Sequence, residues 1–206
     1  MNKPLIIIGC GDHAFVLTDI LNLKQQSILG YIGDNPVRNS LGNILGNDKK
    51  VLDYKPDEIK LVNGVGSVAS TKIREQVYEK FKKLGYTFES IIHPSAIIAS
   101  NVVLEEGIQI MAGTVIQPGA VIGANSIINT KASVDHDCII GKHVHVAPGV
   151  TLSGNVHVES CCHIGTGATV IQEIHIGKDA LIGAGALVNK HVRKGAKVLG
   201  VPAREV

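Results

Sequence analysis

The chain has no tryptophan and only three phenylalanines and four tyrosines in 206 residues. That scarcity, beside so much glycine, fits a solenoid with a thin core of β-branched residues rather than a globule filled by large rings. Charge of one sign is also missing: twenty Lys and Arg stand against eighteen Asp and Glu, a net +2, which gives no basis for a nucleic-acid surface. No apolar run approaches the roughly 18 residues a membrane-spanning helix needs. The apolar stretch Leu5-Ile6-Ile7-Ile8 stops at Gly9, short of the roughly 7–15 residues of a signal-peptide core. Cys10, Cys138, Cys161 and Cys162 show neither a disulfide framework nor a C-x-x-C pair. These features together point to the cytoplasm.

What the chain does have is glycine, 23 of them, and a repeat. From Ile92 to Val188 every sixth residue is Ile, Leu or Val, seventeen times without interruption. The fourth residue after each is apolar or small, as in Ala96, Ala120, Ala132, Cys138 and Val144. A six-residue period is neither helical nor simple strand alternation; it is the mark of a hexapeptide-type parallel β-helix. Two inward positions per hexad, one branched and one small, suit a narrow prism. Cys138 and Cys162 fall in the small inward position and act there as small hydrophobes.

About ninety residues precede the repeat. Leu5 to Ile8 reads as a strand, Gly9-Cys10-Gly11-Asp12-His13-Ala14 as a glycine turn, and Phe15, Val16, Ile20 and Leu21 as the periodic face of a helix. Further strands are expected at Ile28–Ile32 and Lys60–Val62, then a helix from about Ala69 to Leu84 with Ile73, Val77 and Phe81 inward. Strand alternating with helix implies a small parallel sheet with ligand contacts at the carboxyl ends of its strands. Gly9-x-Gly11-x-x-Ala14, with Asp34 further on, matches a dinucleotide fingerprint in letters. There is room for only one mononucleotide-binding half, which is the better reading; the plainer alternative is that the glycines merely allow a tight turn. The expected organisation is a small α/β Rossmann-like domain at 1–88 followed by a left-handed parallel β-helix at 89–206 with a C-terminal cap.

Three hexads make one coil, so residues eighteen apart stack. His136 then lies between Pro118 on one neighbouring coil and Gly154 on the other, with open space on the glycine side. His145 stacks with His163, and His157 with His175. Zinc carbonic anhydrases on β-helices use an H-x-x-x-x-H pair, and no two histidines here have that spacing; no metal site is expected. His136, facing outward at a corner beside Asp135 and Asp137, reads either as a base oriented by one of those carboxylates or as a solvated corner residue.

The motifs Gly9-Cys10-Gly11-Asp12-His13-Ala14, Ile32-Gly33-Asp34, Gly66 with Ile73-Arg74, Asn129-Thr130, His136-Asp137-Cys138-Ile139-Ile140-Gly141, His145-Val146-Ala147-Pro148-Gly149, Ser153-Gly154-Asn155-Val156 and Gly200-Val201-Pro202-Ala203-Arg204 carry a likeness that spans the chain. The sequence resembles the NeuD/PglD-like sugar acetyltransferases, left-handed β-helix hexapeptide enzymes with an N-terminal nucleotide-sugar domain. Members often have Gly where Asp12 stands. The resemblance implies an acetyl-CoA-dependent acetyltransferase acting on the 4-amino group of a nucleotide-linked, UDP-activated amino-deoxy sugar. Its alternatives are a sialic-acid O-acetyltransferase and a non-catalytic sugar-nucleotide-binding scaffold. It further implies His136 as general base with Asp137 as its partner, and His145, Gly154, Ala184, Lys190 and Pro202 on the cofactor. Gly11, His13, Asp34, Gly66 and Met111 are implied on the sugar nucleotide, and the assembly as a homotrimer with acetyl-CoA between two subunits. Lys190, Arg193, Lys194, Lys197 and Arg204 form a basic cluster that either meets CoA phosphates or caps the last coil.

Overall fold

The computed structural model describes residues 3–34 and 42–206. Strands β1 (Leu5–Ile8), β2 (Ile28–Ile32), β3 (Ile44–Gly46) and β4 (Lys60–Asn63) form a parallel sheet in the order β3-β2-β1-β4. The central strand β1 is buried along its whole length, as an unbroken apolar run requires when both faces of a sheet are covered. Its alternate residues serve two cores. Leu5 and Ile7 face helix α1 (Asp12–Leu23), whereas Ile6 and Ile8 pack with Tyr78 and Phe81 of helix α2 (Lys72–Lys83).

Two expectations are corrected here. Helix α2 buries Arg74, Tyr78 and Phe81, and Ile73 is 68% exposed. The helix is rotated so that the Arg74 guanidinium meets three backbone carbonyls, from Asn63, Val65 and Asn125. Charge-assisted bonds of that kind compensate the burial of a polar head. On α1 the buried face is Ala14, Leu17, Ile20 and Leu21, and Val16 is outside it. Strand β3, which extends the sheet beside β2, and a 3-10 turn at Asp48–Asp53 that follows it were not evident from the pattern of the sequence.

From Ile91 onward the chain is a left-handed parallel β-helix. Two-residue strands recur every six residues and pair parallel with the residue eighteen on, as in Ile127↔His145 and Ile139↔His157. Three sheets result. The predicted inward positions form one continuous core, from Ile108 and Ile110 to Val198, with Cys138 and Cys162 fully buried in it. Between strands the chain turns through a left-handed residue at one fixed place in the hexad. Gly107, Gly113 and Gly119 occupy it, and so do Asn125, Lys131, Asp137 and His143, with φ between +57° and +77°. Gly, Asn and Asp tolerate this conformation best.

The two parts share their cores. Ile91, Met111 and Ile127 of the first coils pack with α1 and β1, and Ala124 packs with the α2 side. Met111, expected to touch the sugar, is therefore 1% exposed and inside the protein. It faces outward from the β-helix, but the N-terminal domain covers that face.

Candidate active site

The first site is the corner that carries His136 and Asp137. Asp137 holds the left-handed turn position, φ +57°, which brings its carboxylate back to the neighbouring ring. His136 Nδ1 lies 2.9 Å from Asp137 Oδ2. Asp135 is engaged differently: its Oδ1 accepts the His136 backbone N–H at 2.7 Å. Of the two carboxylates left open by the sequence, Asp137 is thus the one that orients the ring. Both side chains are largely exposed, His136 by 60%. The hydrogen bond to Asp137 raises the imidazole above its ordinary pKa, aided by the charges of Asp135 and Asp137.

The stack fixes the dyad from both sides. The Asp137 N–H donates to Pro118 O, and the Asn155 N–H to His136 O, as the eighteen-residue stacking predicts. A side chain at Gly154 would place Cβ 2.5 Å from His136 Nε2, so the ring occupies the space the glycine leaves. A side chain at Gly119 would collide with Asp137 Oδ1. The imidazole and the carboxylate are each seated against a glycine on a neighbouring coil. Gly119 was missed in the sequence, although stacking Asp137 by the same rule reaches it.

The second site is a cleft of about 580 Å³ where the N-terminal domain meets the β-helix. Gly9, Gly11, His13, Gly66, Ser67 and His145 contribute to its lining. It lies at the carboxyl ends of β1 and β4, where ligands bind in open parallel sheets. His13 is tied to Gln109 Oε1 at 2.7 Å, and Gln109 in turn donates to Asn63 O. Burial, together with the nearby Arg74 charge, brings His13 down to about 4. His145 bonds Ser67 Oγ at 2.6 Å and Asn129 Nδ2 at 3.1 Å, and its ring meets His163 edge-on at 5.0 Å. Burial first, then the neighbouring His163, His13 and Arg74, lower it to about 3. Both cleft histidines are neutral at physiological pH.

The residues expected at the ligands are thus distributed unevenly. Gly11, His13 and Gly66 come together in the cleft; Asp34 is exposed at the end of β2 and is not part of its lining. His145 joins the cleft and makes no contact with His136. Gly154 sits at the corner. Ala184 and Pro202 are exposed near the C-terminal end, and Lys190 lines a separate groove there with Arg193 and Arg204. Arg193 is bound by Glu205 at 2.8 and 2.9 Å, which caps the last coil. Among the described residues no three His, Cys, Asp or Glu side chains converge as a metal site, and no helix is long and apolar enough to cross a membrane. Ser67, Asn129 and Gln109 were not singled out as site residues from the sequence. One signal was available. The outward column Ile91, Gln109, Ile127 is too apolar for a solvated face.

Residues 4–81 match the family model described as the PglD N-terminal domain, and residues 119–154 match the bacterial transferase hexapeptide (six repeats). UDP-N-acetylbacillosamine N-acetyltransferase of Bacillus subtilis is 36% identical over 116 residues, 53% of this chain, and the match spans about half (52%) of that relative's length. The acetyltransferase domain of PglB from Neisseria gonorrhoeae, solved with acetyl coenzyme A, superposes with a TM-score of 0.91 at 30% identity over 100% of both chains. PerB from Caulobacter crescentus, solved with CoA and GDP-perosamine, gives 0.91 at 31% identity, covering 99% of this chain and 97% of that one.

Proposed function

Because the chain belongs to the PglD-type sugar acetyltransferases of the left-handed β-helix, we propose that it transfers the acetyl group of acetyl-CoA to a nucleotide-linked amino-deoxy sugar. The acceptor is the 4-amino group and the carrier UDP, the nucleotide in the name of the bacillosamine relative. The observation that carries this reading is the corner: His136, held at Nδ1 by Asp137, turns Nε2 toward Gly154. With Nδ1–H donated to the carboxylate, Nε2 keeps its lone pair and serves as the base. It takes the proton of the sugar amine as the nitrogen attacks the thioester carbon. The Gly154 N–H, which no other described residue engages, donates to the oxyanion that develops. Collapse of the tetrahedral intermediate expels the CoA thiolate, which takes up a proton. No acyl-enzyme is formed, because Cys138 points into the core and burial pushes its thiol up to about 11.

The exposed Ile97, Val103 and Ile139 lie on β-helix faces that a homotrimer would cover. In that assembly acetyl-CoA lies between two subunits, with Ala184, Lys190 and Pro202 toward its nucleotide end. We place the enzyme in the cytoplasm, which its free cysteines suit.

CoA release is to be followed with UDP-, dTDP- and GDP-linked 4-amino sugars beside free and CMP-linked sialic acid. Release with a nucleotide amino sugar alone supports N-acetylation and names the carrier. The GDP arm tests the reading favoured by the PerB complex. Release with sialic acid alone overturns the proposal in favour of O-acetylation, and release with none in favour of a scaffold.

A further inference from the structure

The imidazole at the corner is 60% exposed, so packing does little to hold it and its placement depends on hydrogen bonds. Asp137 Oδ2 holds the ring, and the Asn155 N–H holds the His136 carbonyl. The remaining main-chain group is the His136 N–H, and coil stacking does not use it. The N–H groups on either side, of Asp135 and Asp137, donate to Leu152 O and Pro118 O on the neighbouring coils. The His136 N–H meets no carbonyl among the described residues.

The same N–H recurs two places after each inward Ile, Leu or Val, and elsewhere in the β-helix it is capped by the side chain that follows such a residue. Glu105, after Leu104, accepts the Ala124 N–H at 2.9 Å, and Glu159, after Val158, accepts the Lys178 N–H at 2.7 Å. Both reach one coil on. Asp135 holds the same place after Val134 and is shorter by one methylene. It closes on its own neighbour, with Oδ1 2.7 Å from the His136 N, as Asn129 does on Thr130 at 2.8 Å. Asp135 is itself half-buried and anchored through its N–H to Leu152 O, so the cap starts from a fixed point. Its charge also reaches the ring: the bond to Asp137 raises the imidazole most, and the charge of Asp135 adds to it.

We propose that Asp135 is a positioning residue for acetyl transfer: its carboxylate caps the His136 N–H, fixes the main chain from which the ring projects, and so sets where Nε2 stands against Gly154. This rests on His136 being the base of the proposed reaction. The two carboxylates of the corner then have separate tasks, Asp135 on the main chain of the base and Asp137 on the rotation of its ring.

The test is CoA release by the full chain as a function of pH, with acetyl-CoA and the nucleotide-linked 4-amino sugar that the wild type accepts. Asp135→Ala should lower kcat roughly ten- to hundredfold, the scale of misplacing a base by up to about 1 Å, with the KM for the sugar little changed. Asp135→Asn keeps an oxygen acceptor for the N–H and should recover most of that loss. Its acid limb should lie at lower pH than that of the wild type, because the charge is gone. Glu105→Ala, which removes a cap of the same kind from the Ala124 corner, should leave kcat unchanged. Wild-type kcat in Asp135→Ala overturns the inference and leaves His136 as the base. Equal losses in Asp135→Ala and Glu105→Ala, or a loss that follows a fall in melting temperature, overturn it in favour of a cap that serves the fold alone. Full activity in His136→Ala, or no CoA release by the wild type with any nucleotide amino sugar, removes the proposed reaction and the inference with it.

Discussion

His136 and His145 belong to the same coil of the β-helix, and their surroundings push the two imidazoles in opposite directions. At the corner the ring is exposed, bonded to a carboxylate and raised in pKa. In the cleft it is buried among other cationic or potentially cationic groups and lowered to about 3. The first is open to solvent and favours its protonated form, whereas the second is held neutral by burial. The source of each environment differs as well. Everything that shapes His136 lies in its own turn or one coil away: Asp137, Gly119 and Gly154. His145 depends on Ser67, seventy-eight residues earlier and in another domain. One histidine is set by the repeat, the other by docking.

The comparison breaks most visibly if the base is removed. His136→Ala should lower kcat/KM for acetyl transfer by roughly 10²–10⁴-fold, the usual worth of general-base catalysis, with the melting temperature unchanged. A similar loss on replacing His145 with no loss at His136 would reverse the two roles. Gly154→Ala is next. The added methyl meets the imidazole at Nε2, and displacement of a base by about 1 Å costs on the order of 10²-fold. That loss should appear in kcat with the KM for the sugar little changed.

Two effects of pH sharpen the contrast. His13 and His145 are depressed from 6.5 to about 4 and about 3 in the folded protein. Between pH 6.5 and those values the unfolded chain binds protons that the native state refuses, so stability is full above 6.5 and falls as the pH drops. Thermal melting should show a falling midpoint across this window, and His145→Gln should flatten the fall. Flatness in the wild type would mean that the cleft histidines are not neutral. At the corner the sign is opposite. Activity should rise with pH as His136 loses its proton, and the hydrogen bond to Asp137 raises the pH at which it does so. Asp137→Asn should move the acid limb of the pH–rate profile to lower pH; no movement would remove Asp137 from the role of orienter.

The sequence reading fared differently in the two regions. In the β-helix, spacing alone placed Cys138 inside, His136 against Gly154 and His145 beside His163. Parallel stacking is rigid in register, and a side chain's neighbours one coil away are fixed by counting. Gly119 was missed through incomplete use of that rule. In the N-terminal domain, β1 and its glycine turn were legible, but the inner face of α2 was assigned to Ile73 on hydrophobicity. The helix instead turned Arg74 inward, because three carbonyls were there to receive it.

Met111 and Ser67 mark the limit. The repeat states that Met111 faces outward, and no local pattern states that α1 covers it. Nor does any spacing link Ser67 to His145. The sequence by itself determined the coil, its core and the corner that holds His136, since those depend on a fixed period. The cleft, the neutral state of His145 and the buried charge of Arg74 were decided by the tertiary structure, because they arise where two domains with unrelated periodicities pack against each other.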